Sequence, residues 1–176
     1  MPNPTTLTLK FVYPAAKYHQ DTRTVTIYKY DPETEETSEF YRFEHPSTGM
    51  AIGMTTFSKK NPDTGEWDRV GHIEWTSPLS GAVTLDENEM TIKEYRKVIN
   101  KTSTSRRFKY KGVEYKWKAS DHIKNNLYCV DTHDFVWGKW YNDKNILRVT
   151  SNSEGLLERL LVTALLNIWF FQKEAW

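Results

Sequence analysis

Residues 153–172, SEGLLERLLVTALLNIWFFQ, decide the fold of this chain. Ser153 or Asn152 is a suitable N-cap, because its side-chain oxygen can accept a hydrogen bond from a backbone N–H of the first helical turn. Glu154 suits the positive N-terminal end of the helix dipole. The stretch therefore predicts a helix from Ser153 to Gln172.

The predicted helix has almost no polar surface. No residue from Leu160 to Phe171 is charged, and the polar residues Thr163 and Asn167 lie four positions apart, on one face. A helix that is apolar on every side lies either in a membrane or inside a protein core. The uncharged stretch has 12 residues, whereas about 20 are needed to cross a bilayer at a rise of about 1.5 Å each. The sequence therefore favours a core helix over a membrane anchor.

The preceding residues, 6–150, form short β-favouring runs separated by turn signals, a pattern that continues through residues 92–98. Residues 108–118, FKYKGVEYKWK, alternate apolar with charged residues around Gly112, which predicts a hairpin with one face buried. We count about 10–12 strands and find no linker, low-complexity tract or repeat. The prediction is one domain, residues 1–176, mainly β, with an antiparallel barrel-like sheet wrapped around the hydrophobic C-terminal helix.

This arrangement resembles the tubby C-terminal-like superfamily, which includes the phospholipid scramblases and the plant LURP-one-related proteins. In that superfamily a β-barrel closes around one hydrophobic C-terminal helix. More narrowly, the chain resembles a fungal (basidiomycete) domain family of unknown function, through residues 71–75 (GHIEW), 112–118 (GVEYKWK) and 160–163 (LLVT). The resemblance covers residues 7–171. It implies a fold, and it implies no catalytic residue.

Composition excludes several classes of protein. The 176 residues include 24 basic and 23 acidic ones, a net charge of +1, which does not suggest a nucleic-acid binder. The single cysteine, Cys129, excludes an intramolecular disulfide and a cysteine-based zinc cluster.

Phosphate-loop, dinucleotide-binding, zinc-protease and nucleophile-elbow motifs are missing, so a non-enzymatic function is favoured. The first residues have neither the basic nor the apolar part of a secretory signal, and the expected location is cytoplasmic.

Aromatic residues provide the first functional hypothesis. The chain contains 7 Trp and 10 Tyr, more than we expect a barrel core of this size to need, and small-molecule pockets are rich in aromatic side chains. A flat conjugated ligand such as a pigment would stack on these rings. We expect a non-enzymatic protein that holds a small aromatic or apolar organic ligand non-covalently, although packing in the core would also use these residues. The predicted contacts are Trp117, Tyr128, Trp137, Trp140 and Tyr141.

Local charge provides an alternative. Ten basic and two acidic residues lie between Lys93 and Lys118, and such a region attracts anions. The tubby-like resemblance implies phosphoinositide head groups as the partner, and each cation near an anionic leaflet contributes about 1 kcal/mol. Solvated lysines that keep strand edges from aggregating would give the same pattern. The alternative function is a peripheral membrane or phosphoinositide-binding domain that uses Arg96, Lys97, Arg106, Arg107, Lys109 and Lys111.

Residues 131–134, DTHD, suggest a third hypothesis. The side chains of Asp131, His133 and Asp134 could hold a divalent metal ion if the chain turns there. The protein would then be a metal-dependent enzyme such as a hydrolase. An ordinary loop, in which an aspartate accepts hydrogen bonds from its own backbone, is the other interpretation.

Overall fold

The computed structural model describes residues 5–16, 20–46, 51–151 and 153–176. Over these residues the chain forms twelve β-strands and two helices. The elements are β1 (Thr5–Val12), β2 (Val25–Tyr30), β3 (Thr37–Glu44), β4 (Gly53–Lys60), β5 (Trp67–Ser77), β6 (Ser80–Leu85), β7 (Asn88–Thr91), α1 (Ile92–Tyr95), β8 (Ser105–Tyr110), β9 (Val113–Ala119), β10 (Leu127–Asp131), β11 (Val136–Tyr141), β12 (Ile146–Ser151) and α2 (Glu154–Gln172).

The described strands form one antiparallel sheet in the order β7-β6-β5-β4-β3-β2-β1-β12-β11-β10-β9-β8. Two meanders, β1 to β7 and β8 to β12, are joined where β1 pairs with β12, with Leu7 opposite Val149 and Leu9 opposite Leu147. The predicted mainly β, barrel-like fold with one hydrophobic C-terminal helix is confirmed. The sheet is not closed, however, because β7 and β8 are its two edges. We call the gap between these two strands the seam.

The seam is covered by the chain that runs from β7 to β8. Helix α1 begins with a capping box, in which the Thr91 hydroxyl accepts a hydrogen bond from the Glu94 N–H (3.2 Å) and the Glu94 carboxylate accepts one from the Thr91 N–H (2.6 Å). Ile92 and Tyr95 are buried on its inner side. Beyond α1, Lys97 and the edge strand β8 form an isolated antiparallel bridge. The β pattern predicted through residues 92–98 is therefore wrong at α1, where a short helix covers the seam.

Helix α2 fills the interior of the sheet. Its N-cap is Ser153, whose hydroxyl accepts a hydrogen bond from the Leu156 N–H at 3.2 Å. Every residue of the helix from Leu156 to Phe170 is buried. Such burial on all sides is what the apolar sequence predicted. No helix among the described residues has the length and apolarity needed to cross a membrane.

Polar contacts tie α2 to opposite parts of the sheet. The Tyr41 hydroxyl of β3 donates to the Glu158 carboxylate (3.3 Å), and the Trp117 indole N–H of β9 donates to the Thr163 hydroxyl (2.8 Å). Near the end of the helix, the Trp169 indole N–H donates to the Pro78 carbonyl after β5 (2.7 Å). The helix therefore has sheet on several sides, and these three polar contacts fix its position in the sheet.

Candidate functional site

The two predicted ligand-binding tryptophans Trp117 and Trp140 belong to the core. Their side chains are 0% and 2% exposed. Trp117 is held by its hydrogen bond to Thr163, and the ring of Trp140 packs against Phe11 with a centroid separation of 5.0 Å. Trp140 also borders a small cavity of 140 Å³ beside Ile168. Their main role in the structure is packing around α2.

The other predicted aromatic contacts lie elsewhere. Tyr128 and Tyr141 alternate with inward-facing residues, so they lie on the outer face of the sheet, where Lys118 and Arg148 stack on their rings. Trp137 is half-buried, and its indole N–H donates to the Asp131 carboxylate at 2.9 Å. The five aromatic residues therefore point to different sides of the sheet, and the structure does not gather them around one cavity.

The loop of residues 131–134 is organised by the Asp131 carboxylate. Its oxygens accept hydrogen bonds from the backbone N–H groups of His133 (2.8 Å) and Phe135 (3.1 Å), besides the one from Trp137. Burial raises the pKa of Asp131, but these hydrogen bonds outweigh it, and the pKa is lowered overall. Nowhere in the described ranges are three His, Cys, Asp or Glu side chains grouped to hold a metal ion. The loop's own hydrogen bonds explain the positions of Asp131, His133 and Asp134, and metal binding there stays a prediction.

The six predicted basic residues do not share one face. The side chain of Arg106 points inward, like that of Phe108 two residues later, and Arg96 is buried beside it. Arg106 is 9% exposed and Arg96 is 7% exposed. Arg107 points outward and pairs with Glu114. The remaining three side chains are exposed to solvent, namely Lys97, Lys109 and Lys111. The two buried arginines therefore lie apart from the other four predicted cations, in a different part of the molecule.

That place is a cavity of about 870 Å³ at the seam. Its walls come from β5 to β7, from α1, from the inner face of β8 and from the last turn of α2 and the residues after it. Many of the lining side chains are apolar, namely Leu79, Ala82, Ile92, Val98, Phe170 and Ala175. The charged lining residues are Glu74, Glu89, Lys93, Arg96 and Arg106. The cavity therefore combines an apolar wall with two buried cations.

Arg96 is fixed in the cavity wall by α2. Its Nε donates to the Asn167 side-chain oxygen at 2.8 Å, and its guanidinium carbon lies 3.6 Å from the centroid of the Phe170 ring. Among the described residues, neither Arg96 Nη2 nor Asn167 Nδ2 has a hydrogen-bond partner, although both atoms are buried. Burial, assisted by the charge of Arg106, lowers the pKa of Arg96 to about 9, so the group remains a cation at neutral pH.

Arg106 is the second cation of the wall. Its Nη1 donates to the backbone carbonyls of Ser103 (3.3 Å) and Ser105 (3.1 Å). Its guanidinium carbon lies 4.8 Å from the Trp176 ring, which also lies 5.6 Å from that of Arg96. In the part of the chain that the structure describes, no carboxylate forms an ion pair with either arginine.

Sequence reasoning missed most of this site, including the three residues that contact its arginines. Asn167 was identified as a polar residue on one face of the helix, but its partner Arg96 could not be predicted. Phe170 and Trp176 stack near the arginines and were not included among the predicted contacts. An isolated amide in an apolar helix is the one signal that could have indicated a buried polar partner.

Fold and site together define an all-β domain whose open barrel is filled by a helix and has a cavity with two cations at its seam. The chain belongs to a family of unknown function, DUF6593, whose family model matches residues 15–169. This agrees with the domain family of unknown function that the sequence predicted. No curated protein and no solved structure matches the chain.

Proposed function

We propose that the protein binds a small molecule and that the seam cavity holds the apolar part of that ligand. The observation that supports this proposal is the cavity itself. Its volume of about 870 Å³ lies within the range of about 300–1,000 Å³ that is common for ligand pockets. A binding role is favoured over catalysis, because apolar side chains supply much of the wall.

This proposal keeps the class of ligand expected from the sequence and moves the site. The ligand is still a small aromatic or apolar molecule, but it contacts the seam instead of the β10–β11 region. The rings of Phe170 and Trp176 lie near the cavity arginines, where a flat ligand could stack. Pigment binding is one form of this proposal, and the absorption and mass spectra of natively purified protein would test it. A colourless, ligand-free sample would contradict it.

The binding proposal can be tested with N-phenyl-1-naphthylamine, a neutral aromatic fluorophore. Ala82 lines the cavity, so Ala82→Phe should fill part of it, while Ala16→Phe changes an exposed residue outside it and serves as the control. We expect saturable binding to the wild type and to Ala16→Phe, and binding weaker by about tenfold or more, or about 1.4 kcal/mol, to Ala82→Phe. Absence of binding to the wild type, or equal binding to a folded Ala82→Phe variant, would refute the proposal.

A peripheral membrane role is the second candidate. It is supported by exposed apolar side chains at the seam, because Leu79, Val98 and Ile99 are 41%, 43% and 58% exposed. Exposed lysines lie close to Val98 and Ile99 in the sequence, namely Lys93, Lys97 and Lys101. Apolar contact together with cations is the combination that binds an anionic leaflet.

Co-sedimentation with phosphatidylserine vesicles tests this second candidate. Replacing the exposed lysines Lys93, Lys97 and Lys101 by glutamine should reduce binding, and high salt should do the same because it screens charge. The control replaces three other exposed lysines, Lys124, Lys139 and Lys144. Binding that is insensitive to salt, or equally reduced by both triple variants, would count against a membrane-binding face.

The finer parts of the resemblance remain proposals. Twelve antiparallel strands around one hydrophobic helix support membership of the tubby C-terminal-like superfamily. Fungal origin and cytoplasmic location stay predictions. A fluorescent fusion in the native organism would check the location.

A further inference from the structure

We infer that the ligand of the seam cavity carries an oxyanion, a carboxylate or a phosphate monoester, which binds to Arg96 with Arg106 as the second cation. This inference rests on the proposed function, because it needs a ligand in that cavity. It goes further by naming the chemical group that the site recognises.

The first argument is uncompensated charge. Arg96 and Arg106 are 7% and 9% exposed and line the same cavity. Among the described residues, no carboxylate forms an ion pair with either arginine. Buried charges in proteins are normally paired, because removing a charge from water is costly. Glu74 and Glu89 also line the cavity, but neither neutralises an arginine. The two neighbouring cations therefore favour a negatively charged ligand group.

The second argument is unsatisfied hydrogen-bond donors. Arg96 Nη2 and Asn167 Nδ2 are buried without an acceptor in the described structure, and the two side chains are already joined by the 2.8 Å bond from Arg96 Nε to Asn167 Oδ1. Guanidinium and amide N–H groups can only donate, so the missing partner is an acceptor. Carboxylate and phosphate groups offer several acceptor oxygens and match the guanidinium geometry.

The aromatic rings explain why the cations are tolerated. Arg96 stacks on Phe170, and Arg106 lies over Trp176, which gives favourable cation–π interactions. These rings accept no conventional hydrogen bond, so they leave the donors of Arg96 and Asn167 unsatisfied. An amphiphile fits both parts of the site, because its oxyanion can meet Arg96 while its apolar body follows the side chains of Leu79, Ile92 and Val98.

Three probes of equal chain length test the inference, namely dodecanoate, dodecyl phosphate and dodecanol, each below its aggregation limit in calorimetric titrations of the wild-type protein. We expect at least one acid to bind, and dodecanol to bind about tenfold or more weakly. Comparing the two acids shows whether the site prefers carboxylate or phosphate. Equal affinity for all three probes would overturn the anion inference and leave the binding proposal standing. No binding of any probe would also overturn the anion inference, and the fluorophore titration would then decide whether the binding proposal stands.

Two variants assign the effect to Arg96. Arg96→Met removes the cation, with Arg148→Met on the outer face as its control. Asn167→Asp keeps the cation and gives it an internal carboxylate, which should compete with the ligand. This second variant tests the inference even if Arg96→Met fails to fold. We expect both variants to weaken binding of the acids by about tenfold or more, a larger loss than for dodecanol, and we expect Arg148→Met to bind the acids like the wild type. Unchanged acid affinity in a folded Asn167→Asp variant would overturn the inference.

Discussion

The hydrogen bond between Trp117 and Thr163 tests how α2 is held inside the sheet. Both side chains are 0% exposed, and the indole N–H donates to the threonine hydroxyl at 2.8 Å. The hydroxyl in turn donates to the Arg159 carbonyl, one turn earlier, at 2.7 Å. Replacing Thr163 by valine keeps the shape of the side chain and removes the acceptor, so the N–H of Trp117 is left buried without a partner.

The expected cost follows from that unsatisfied donor. A buried polar group that loses its partner costs about 1–3 kcal/mol. For a chain of 176 residues, a loss of about 2 kcal/mol lowers the Tm by about 4–8 °C. In a Trp117→Phe background the donor is already gone, so Thr163→Val should cost close to nothing. The coupling between the two changes therefore measures the hydrogen bond, separately from the cavity that Trp117→Phe creates.

Urea unfolding followed by far-UV circular dichroism gives the four free energies of this double-mutant cycle. This signal does not depend on the fluorescence of the replaced tryptophan. We expect Thr163→Val to lower the unfolding midpoint strongly in the wild type and very little in the Trp117→Phe variant. An equal loss in both backgrounds, or no loss in the wild type, would show that this bond does not hold the helix in place.

Two further predictions concern titration and backbone packing. Burial raises the pKa of Glu158, and the charges of Glu154 and Asp86 raise it further. The folded state therefore holds this proton more tightly than the unfolded state. Stability is lost as the pH rises above the ordinary pKa of a glutamate carboxyl group. Glu158→Gln should be more stable than the wild type in urea at pH 7, with a difference that shrinks towards pH 4, and a constant difference would contradict the assignment. Gly71→Ala should cost about 3 kcal/mol or more, since a Cβ there would lie 2.2 Å from the Thr84 carbonyl oxygen. A Cβ at Gly112 would have no atom within 4 Å, but φ is +77° there, so Gly112→Ala should cost only about 1–2 kcal/mol. Equal Tm losses in Gly71→Ala and Gly112→Ala would refute the steric argument.

The central helix could be predicted because its sequence admits few environments. A run of 12 uncharged residues is too short to cross a bilayer and too apolar for a surface. The hairpin of β8 and β9 could also be predicted, since its alternation and its glycine agree with the observed pairing of Phe108 with Tyr115 and with positive φ at Lys111 and Gly112. In both cases the local pattern and the tertiary environment require the same structure.

The open seam was missed, although a local signal was present. Residues 91–94, TIKE, have the threonine and glutamate spacing of a capping box, and Ile92 and Tyr95 are three apart, as on one face of a helix. The surrounding β-rich sequence favoured another strand. The mistake matters for function, because the helix that replaces this strand forms one wall of the seam cavity.

The predicted site residues were partly useful. Arg96 and Arg106 were among the predicted cations, but as parts of an outer lipid-binding face. Arg106 lies two residues before the apolar Phe108 on one strand, so alternation alone places it inside. The burial of Arg96 could not be predicted, because it depends on contacts with Asn167 and Phe170, more than 70 positions away.

The position of α2 in the order of elements has a consequence for biosynthesis. The twelve strands of the described sheet are translated before the segment that fills their interior, and β1 can pair with β12 only after Ile146–Ser151 has been made. Strands that leave the ribosome earlier have an apolar face and nothing to cover it, a state that invites aggregation or chaperone binding. Nascent chains stalled before residue 153 should therefore remain unfolded and protease-sensitive, and the domain should acquire its structure only after α2 has been released from the exit tunnel.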